Sequence, residues 1–486
     1  MLLLPLGFLL WKSFQISPEL LVHVEKYLLW EGLGNTVLLL ISVLFLSATL
    51  GLSLAWIVAR YRFFGRSFFR WALILPLALP AYVVAFVWLA RFGQSLPFFQ
   101  LSCILSFCLF PYIYLILLEC FDRINQSHIE VAQSLGMPPG GVLKKIYQPM
   151  LFPSLMAGVA LVGMETLADF GSVSLYNVSV LTTIVYRSWF GLQSLETAAF
   201  LAMVHIGLLL VFVFLTSKVS RRRLADKSSG VKKDRALKEV SPITSLGLAS
   251  YVSLVWVLSF VLPVAQLLGW GLNDLGGFLD TRLLERIINS LVIASGAALI
   301  TLFFALVMTL AKRYFDSASL GYFVRLGTIG YGIPGTVIAV GWMVTLGILL
   351  GSFHHLTFLA LLALVLGLST RFLSLAQRPL FSAVQRISLS IEETAKSSGA
   401  STLRVFRKIH FPLLSSASGI AFLFVFIDTL KEMPMTLLMR PYGWDTLSVR
   451  VYQFTSDGMW QAAAAPSLVL VLVSLLPLWF LRKQIQ

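Results

Sequence analysis

Apolar runs of about 20 residues, each long enough to cross a hydrocarbon core of about 30 Å as a helix, recur along the whole chain. They fall at residues 1–15, 34–59, 71–91, 99–120, 152–171 and 197–217. After a polar break they resume near 244–270, 289–311, 325–350, 356–376, 413–430 and 463–481. The pattern predicts an all-α membrane protein with about twelve transmembrane helices. The opening stretch, MLLLPLGFLLWKSF, lacks the basic start and small-residue cleavage site of a secretory signal, so it is expected to be a first helix, short or interfacial.

Composition agrees with this reading: 58% of the 486 residues are hydrophobic and only 12% are charged. A formal charge of +15 in a soluble protein would suggest a nucleic-acid partner. Here the basic residues stand in short loops beside apolar runs and act as topology signals, so no nucleic acid is expected. The break between the halves, residues 218–243, is expected to be a basic cytoplasmic linker carrying Arg221, Arg222, Arg223, Lys227, Lys232, Lys233, Arg235 and Lys238. The groups at Arg60 to Arg70, Lys144 and Lys145, Lys312 and Arg313, and Arg404 to Lys408 fall on the same side if every run crosses once. Both termini are then cytoplasmic. Cys103, Cys108 and Cys120 lie in or at the end of one apolar run and are expected to be small buried hydrophobes.

The two halves resemble each other. Asn35, Pro80 and Trp88 recur as Asn289, Pro334 and Trp342 at a spacing of 254; Glu130, Gly136, Ile146 and Pro149 recur as Glu393, Gly399, Ile409 and Pro412 at 263. About nine extra residues therefore fall between Trp342 and Glu393. Six runs per half give repeats 1–217 and 244–486 the same orientation, with the pathway on an axis along the membrane normal.

The most distinctive motif is Glu-x-Ala, then Gly, then Ile-x-x-Pro. It reads EVAQSLG and KKIYQP in the first half (Glu130, Ala132, Gly136, Ile146, Pro149) and ETAKSSG and RKIHFP in the second (Glu393, Ala395, Gly399, Ile409, Pro412). Glycine permits a sharp reversal between two short helices, and each proline suits the start of the following membrane helix. An exposed helix of this kind suits a partner's groove. The motif resembles the coupling loop of binding-protein-dependent ABC importer permeases, although Val131 and Thr394 stand where that family has a second Ala, and Gln148 and Phe411 where it has Leu. The resemblance implies a non-catalytic translocating subunit, two copies of a separate ATPase subunit binding ATP and Mg, and a periplasmic substrate-binding protein. The chain itself has no GxxxxGK[ST] loop to cradle phosphates, and no cofactor of its own is expected.

Charges inside a span cost about 2.5–3.5 kcal/mol each, so they should face a cavity or a partner. Glu165 and Asp169, four apart, and Asp428 and Glu432, at the 263 spacing, are candidates for the translocation path and for hard-cation ligands. Pairing with Lys431, helix capping or contact with the binding protein are the alternatives. The surrounding stretches, ETLADFGSVSLYN and DTLKEMPMTLLMRPYGWDTLSVRVY, together with the fusion of two halves, resemble the ferric-iron importer permeases of Gram-negative bacteria. That implies ferric-iron import across the bacterial inner membrane; the fused thiamine permease is the competing resemblance. His354 and His355 are read as loop residues, and Tyr82, Tyr112, Tyr114 and Tyr186 as interfacial tyrosines. A secondary transporter would also use repeats and membrane carboxylates, but the doubled loop favours the ATP-driven class. No HExxH pair or nucleophile elbow suggests an enzyme.

Overall fold

The structure, a computed structural model, describes residues 2–124, 126–221, 237–315, 321, 327, 330–350 and 357–485. The expected linker's residues 222–236, the pair His354 and His355, and residues 325, 326, 328 and 329 of the expected 325–350 span lie outside the described residues. The rest is almost entirely helical, as hydrocarbon demands that each segment satisfy its own backbone groups. Among the described residues the strands are one two-residue parallel pair, Tyr61–Arg62 beside Lys238–Glu239.

Every expected run is occupied by apolar helix. Eight helices are long and apolar enough to cross a membrane, nine if the bent pair Arg66–Ala78 and Ala81–Phe92 is one span. Leu3–Ser13 and Gly335–Leu349 are apolar but shorter, and the chain's last apolar helix, Ala464–Ile485, has 22 residues. With the bent pair and these further helices, each of the twelve expected runs corresponds to an apolar helical element, and eight or nine of them are full-length spans among the described residues.

Two departures have clear physical causes. The run expected at 71–91 bends by 90°. Leu79 precedes Pro80, whose ring disfavours helical backbone at the residue before it, and Leu79 is extended at φ −87, ψ 122. A short 3-10 turn, Gly330–Gly332, stands ahead of Pro334 in the same way. The run expected at 34–59 begins much earlier, as a continuous helix Pro18–Arg60 of 43 residues. Glu19, His23, Glu25, Lys26 and Glu31 interrupt its apolar pattern and hid the extension.

The chain divides into two compact units that do not follow chain order. One comprises Met1–Leu21, Val185–Met203 and Leu275–Phe454. Its centre is the packing of Thr281–Tyr314, Thr357–Gln385 and Phe411–Lys431, and Leu3–Ser13 lies on Gly335–Leu350. Gly341 permits that approach, since a Cβ there would sit 3.0 Å from the Pro5 carbonyl oxygen. The Lys12–Glu196 ion pair, 2.8 Å, ties the same helix to Leu195 and its neighbours.

The other unit comprises Val22–Ile184, Val204–Asp274 and Thr455–Gln486. Trp30–Arg60, Pro97–Arg123 and Gln148–Ala168 form its centre. The helical run Pro242–Asn273 joins it through a 2.8 Å Ser53–Tyr251 hydrogen bond, the edge-on packing of Phe68 and Phe69 against Trp256, and the stacking of Phe86 on Trp270.

The same hydrogen-bond frame occurs in each unit. Asn35 Nδ2 donates to the Ser179 carbonyl, and the Leu181 N–H donates to Thr36 Oγ1. Asn289 Nδ2 donates to the carbonyls of Gly443 and Asp445, and the Leu447 N–H donates to Ser290 Oγ. Ser106 and Ser369 donate to the carbonyls of Val43 and Ala297. The last equivalence shows that the extra residues lie before Ser369, which narrows the interval read from the sequence.

Candidate functional site

The two motif segments fold alike. Helices Gln126–Ser134 and Leu389–Ser397 each end in a reversal at a left-handed glycine, Gly136 at φ 78 and Gly399 at φ 79. The Met137 N–H reaches back to the Ala132 carbonyl and the Ala400 N–H to that of Ala395, each at 3.0 Å. These are the six-to-one bonds of a helix stop built on a left-handed residue. Ala132 is buried and Ala395 half-buried, while Glu130 and Glu393 are exposed. Val131 and Leu135 present apolar surface in the first segment and Ile391 in the second.

The prolines do not start the following membrane helices. Pro149 lies inside a continuous helical run, Pro139–Ala168, and Pro412 inside Phe406–Lys431. Each follows a π turn, Leu143–Tyr147 or Phe406–His410. The residue before the proline bonds five residues back, Gln148 N–H to the Leu143 carbonyl and Phe411 N–H to that of Phe406. This local widening leaves room for a ring that an α-helix would exclude. Ile146 and Ile409, both half-buried, lie within these turns.

Above each segment sits a polar contact that the spacing arguments did not single out. In the unit centred on Trp30–Arg60, Arg60 Nη1 donates to Tyr147 Oη at 2.6 Å, with its guanidinium over Trp56. At the positions 254 and 263 residues later, Tyr314 Oη lies 2.8 Å from His410 Nε2. Next to it Arg313 and the buried Glu392 form an ion pair of 2.6 Å. Arg313 was read as a topology charge; it is in fact 9% exposed at the side chain and paired.

The four candidate carboxylates separate into two kinds. Asp169 and Glu432 do not lie on the preceding helices: those end at Ala168 and Lys431, and both residues are extended caps. Asp169 accepts from Ser172 Oγ and the Val173 N–H, at the start of helix Gly171–Leu175. Glu432 accepts from the Met435 and Thr436 N–H groups at 3.0 and 3.1 Å, at the start of Pro434–Met439, and from Arg371 Nη1 at 2.7 Å. Gly335 packs so closely on this pair that a Cβ would overlap both side chains. At the position 263 residues before Arg371 stands Cys108, which is buried within electrostatic reach of Asp169. Glu165 and Asp428 remain on the helices, both half-buried. Among the described residues no three His, Cys, Asp or Glu side chains are grouped as a metal ion would require. Tyr82, Tyr114 and Tyr176 are buried, and Tyr114 donates to the Arg70 carbonyl, so Tyr82 and Tyr114 are packed inside the protein.

These features define a multi-span helical membrane protein with two glycine-stopped polar segments, each built on the same hydrogen-bond frame. The chain belongs to the family described as binding-protein-dependent transport system inner membrane component, which residues 47–224 match. It is similar to the Fe(3+)-transport system permease protein FbpB 2 of Haemophilus influenzae, 29% identical over 461 residues, 93% of this chain and 90% of that protein. It is also similar to the sulfate transport system permease protein CysT of Escherichia coli, 30% identical over 196 residues, 35% of this chain and 68% of that one. The chain is thus an ABC permease subunit of the inner membrane, and in this family the ATPase is a separate subunit that works with a substrate-binding protein.

Proposed function

We propose that this permease imports ferric iron delivered by a periplasmic binding protein, with ATP and Mg bound on two copies of a partner ATPase subunit. The observation that carries the substrate is the extent of similarity to the iron permease, which takes in 93% of this chain, whereas the sulfate permease corresponds to 35%. Each motif segment docks one ATPase copy through Glu130, Val131 and Leu135 or through Ile391 and Glu393, with both termini on that cytoplasmic side. The repeats are 1–217 and 244–486, joined by the basic linker 218–243, and the duplicated frame of Asn35 and Asn289 supports that division.

Asp169 and Glu432 hold the short helices that flank the path. Glu165 and Asp428 are the carboxylates exposed to a passing cation in this reading. The deciding experiment reconstitutes the permease with its ATPase and binding protein in liposomes and measures ATP-dependent uptake of radioactive iron against sulfate and thiamine. Iron uptake that falls in Glu165→Gln and Asp428→Gln supports the path. Uptake of sulfate or thiamine instead of iron would overturn the substrate, and unchanged iron uptake in both variants would remove the carboxylates from it.

A further inference from the structure

The two docking segments are anchored by different chemistry. Arg313 lies in the last turn of helix Thr281–Tyr314. Its Nη1 donates to the Val384 carbonyl at 2.6 Å and its Nη2 to the Ile387 carbonyl at 2.7 Å. Its Nε lies 2.6 Å from Glu392 Oε1. Val384 and Ile387 close helix Thr357–Gln385 and the turn beyond it, and Glu392 stands in the first turn of the second docking helix, Leu389–Ser397. One guanidinium therefore binds the carbonyls at the end of one helix and the carboxylate at the start of the next. The elbow between them is fixed by a rigid planar fork, a geometry that the single ammonium of lysine does not supply.

In the first half the equivalent positions are Ala59 and Ile129, 254 and 263 residues earlier. Both are 4% exposed members of an apolar core. The neighbouring pair is exchanged as well, Arg60 with Tyr147 in one half and Tyr314 with His410 in the other. In a buried ion pair, removing one partner leaves the other charge unpaired, whereas replacing both by apolar groups is far better tolerated.

We infer that Arg313 is the positioning residue of the second docking segment: through Glu392 and the Val384 and Ile387 carbonyls it sets the elbow by which ATPase closure reaches the membrane helices. This rests on the docking reading of the motif segments.

The test uses the full permease with its ATPase and binding protein in liposomes and reads solute transported per ATP hydrolysed. Arg313→Ala should lower that ratio about tenfold, a shift on the scale of ordinary allosteric coupling. Arg313→Lys should restore it only in part. The double variant Arg313→Ala with Glu392→Ile copies Ala59 and Ile129 and should recover most of the ratio. A cysteine at Ser397 monitors docking by cross-linking to the ATPase. A wild-type cross-link with an unchanged ratio in Arg313→Ala overturns the positioning role alone, and so does a double variant that assembles but is as poorly coupled as the single one. Absence of any wild-type cross-link overturns the docking reading and the inference with it. Should Arg313→Ala fail to assemble, the double variant decides: coupled transport supports the inference and uncoupled transport overturns it.

Discussion

Two kinds of residue set the local geometry of this permease, and they differ in how visible they are in the sequence. Gly136 and Gly399 have open space where a Cβ would sit, so what they supply is a positive φ and nothing else. A residue with a Cβ in that conformation costs about 1–2 kcal/mol. Gly399→Val should therefore lower the thermal denaturation midpoint in detergent and impair ATP-driven uptake, while Gly399→Asn, which tolerates the left-handed region, should behave nearly as wild type. Equal behaviour of the two variants would refute the backbone argument. Those glycines were legible because their paired spacing announced them. Arg371 was not: it stands alone in an apolar run, and its partner Glu432 was read as lying on the helix instead of capping it. Glu432→Ala strands the buried Arg371 and two N–H groups, a loss of about 3–5 kcal/mol if the charge stays buried. Asp169→Ala, which removes a cap with no arginine beside it, should cost about 1 kcal/mol. Comparing the two denaturation midpoints checks the difference, and an Asp169→Ala shift as large as that of Glu432→Ala would contradict it.

At the level of elements, hydropathy located the apolar helices, and polar interruptions concealed where they begin and break. The membrane helix after the first motif segment starts at Pro139, ten residues before Pro149, and the one after the second is already helical at Phe406, six before Pro412, because a π turn absorbs the proline that had marked the expected start. Hydrogen bonds between residues five apart leave no compositional trace, so nothing in the pattern of side chains could reveal that turn. The π turn has a consequence for coupling. It holds one residue more than an α-turn, so removing it rotates everything on its far side by about 100°. Pro412→Ala restores an N–H and lets the regular ladder reform. It should raise thermal stability while lowering uptake, since the second motif segment, which docks the ATPase in the proposed function, then meets the membrane helix at a different angle. Hydrogen exchange at residues 406–412 reports the ladder directly. Increased protection there with undiminished uptake would show that the π turn only accommodates the ring and does not set the angle.

For the whole molecule, the internal repeat was readable from spacing, but the grouping of helices was not, because it depends on contacts between residues far apart in the chain. Each compact unit holds the leading apolar helix of the other half. Leu3–Ser13 belongs with Leu275–Phe454, and Pro242–Asn273 with Val22–Ile184. In a bilayer such helices gain little from the hydrophobic effect and are held by close packing and polar contacts. Here those contacts are Gly341 against Pro5 and the Lys12–Glu196 pair in one unit, and Ser53 with Tyr251 in the other. A chain cut in the linker therefore leaves each fragment carrying a helix whose packing partner is on the other fragment. Fragments 1–217 and 244–486 should each accumulate poorly when expressed singly and should restore uptake when expressed together. Fragment 1–274 retains Pro242–Asn273 beside its partners and should accumulate alone to a higher level than 1–217. Immunoblots of membranes give the levels and uptake assays the complementation. If 1–217 alone proved as abundant and protease-resistant as 1–274, the Ser53–Tyr251 bond and the aromatic packing of Pro242–Asn273 would contribute nothing to holding its unit together.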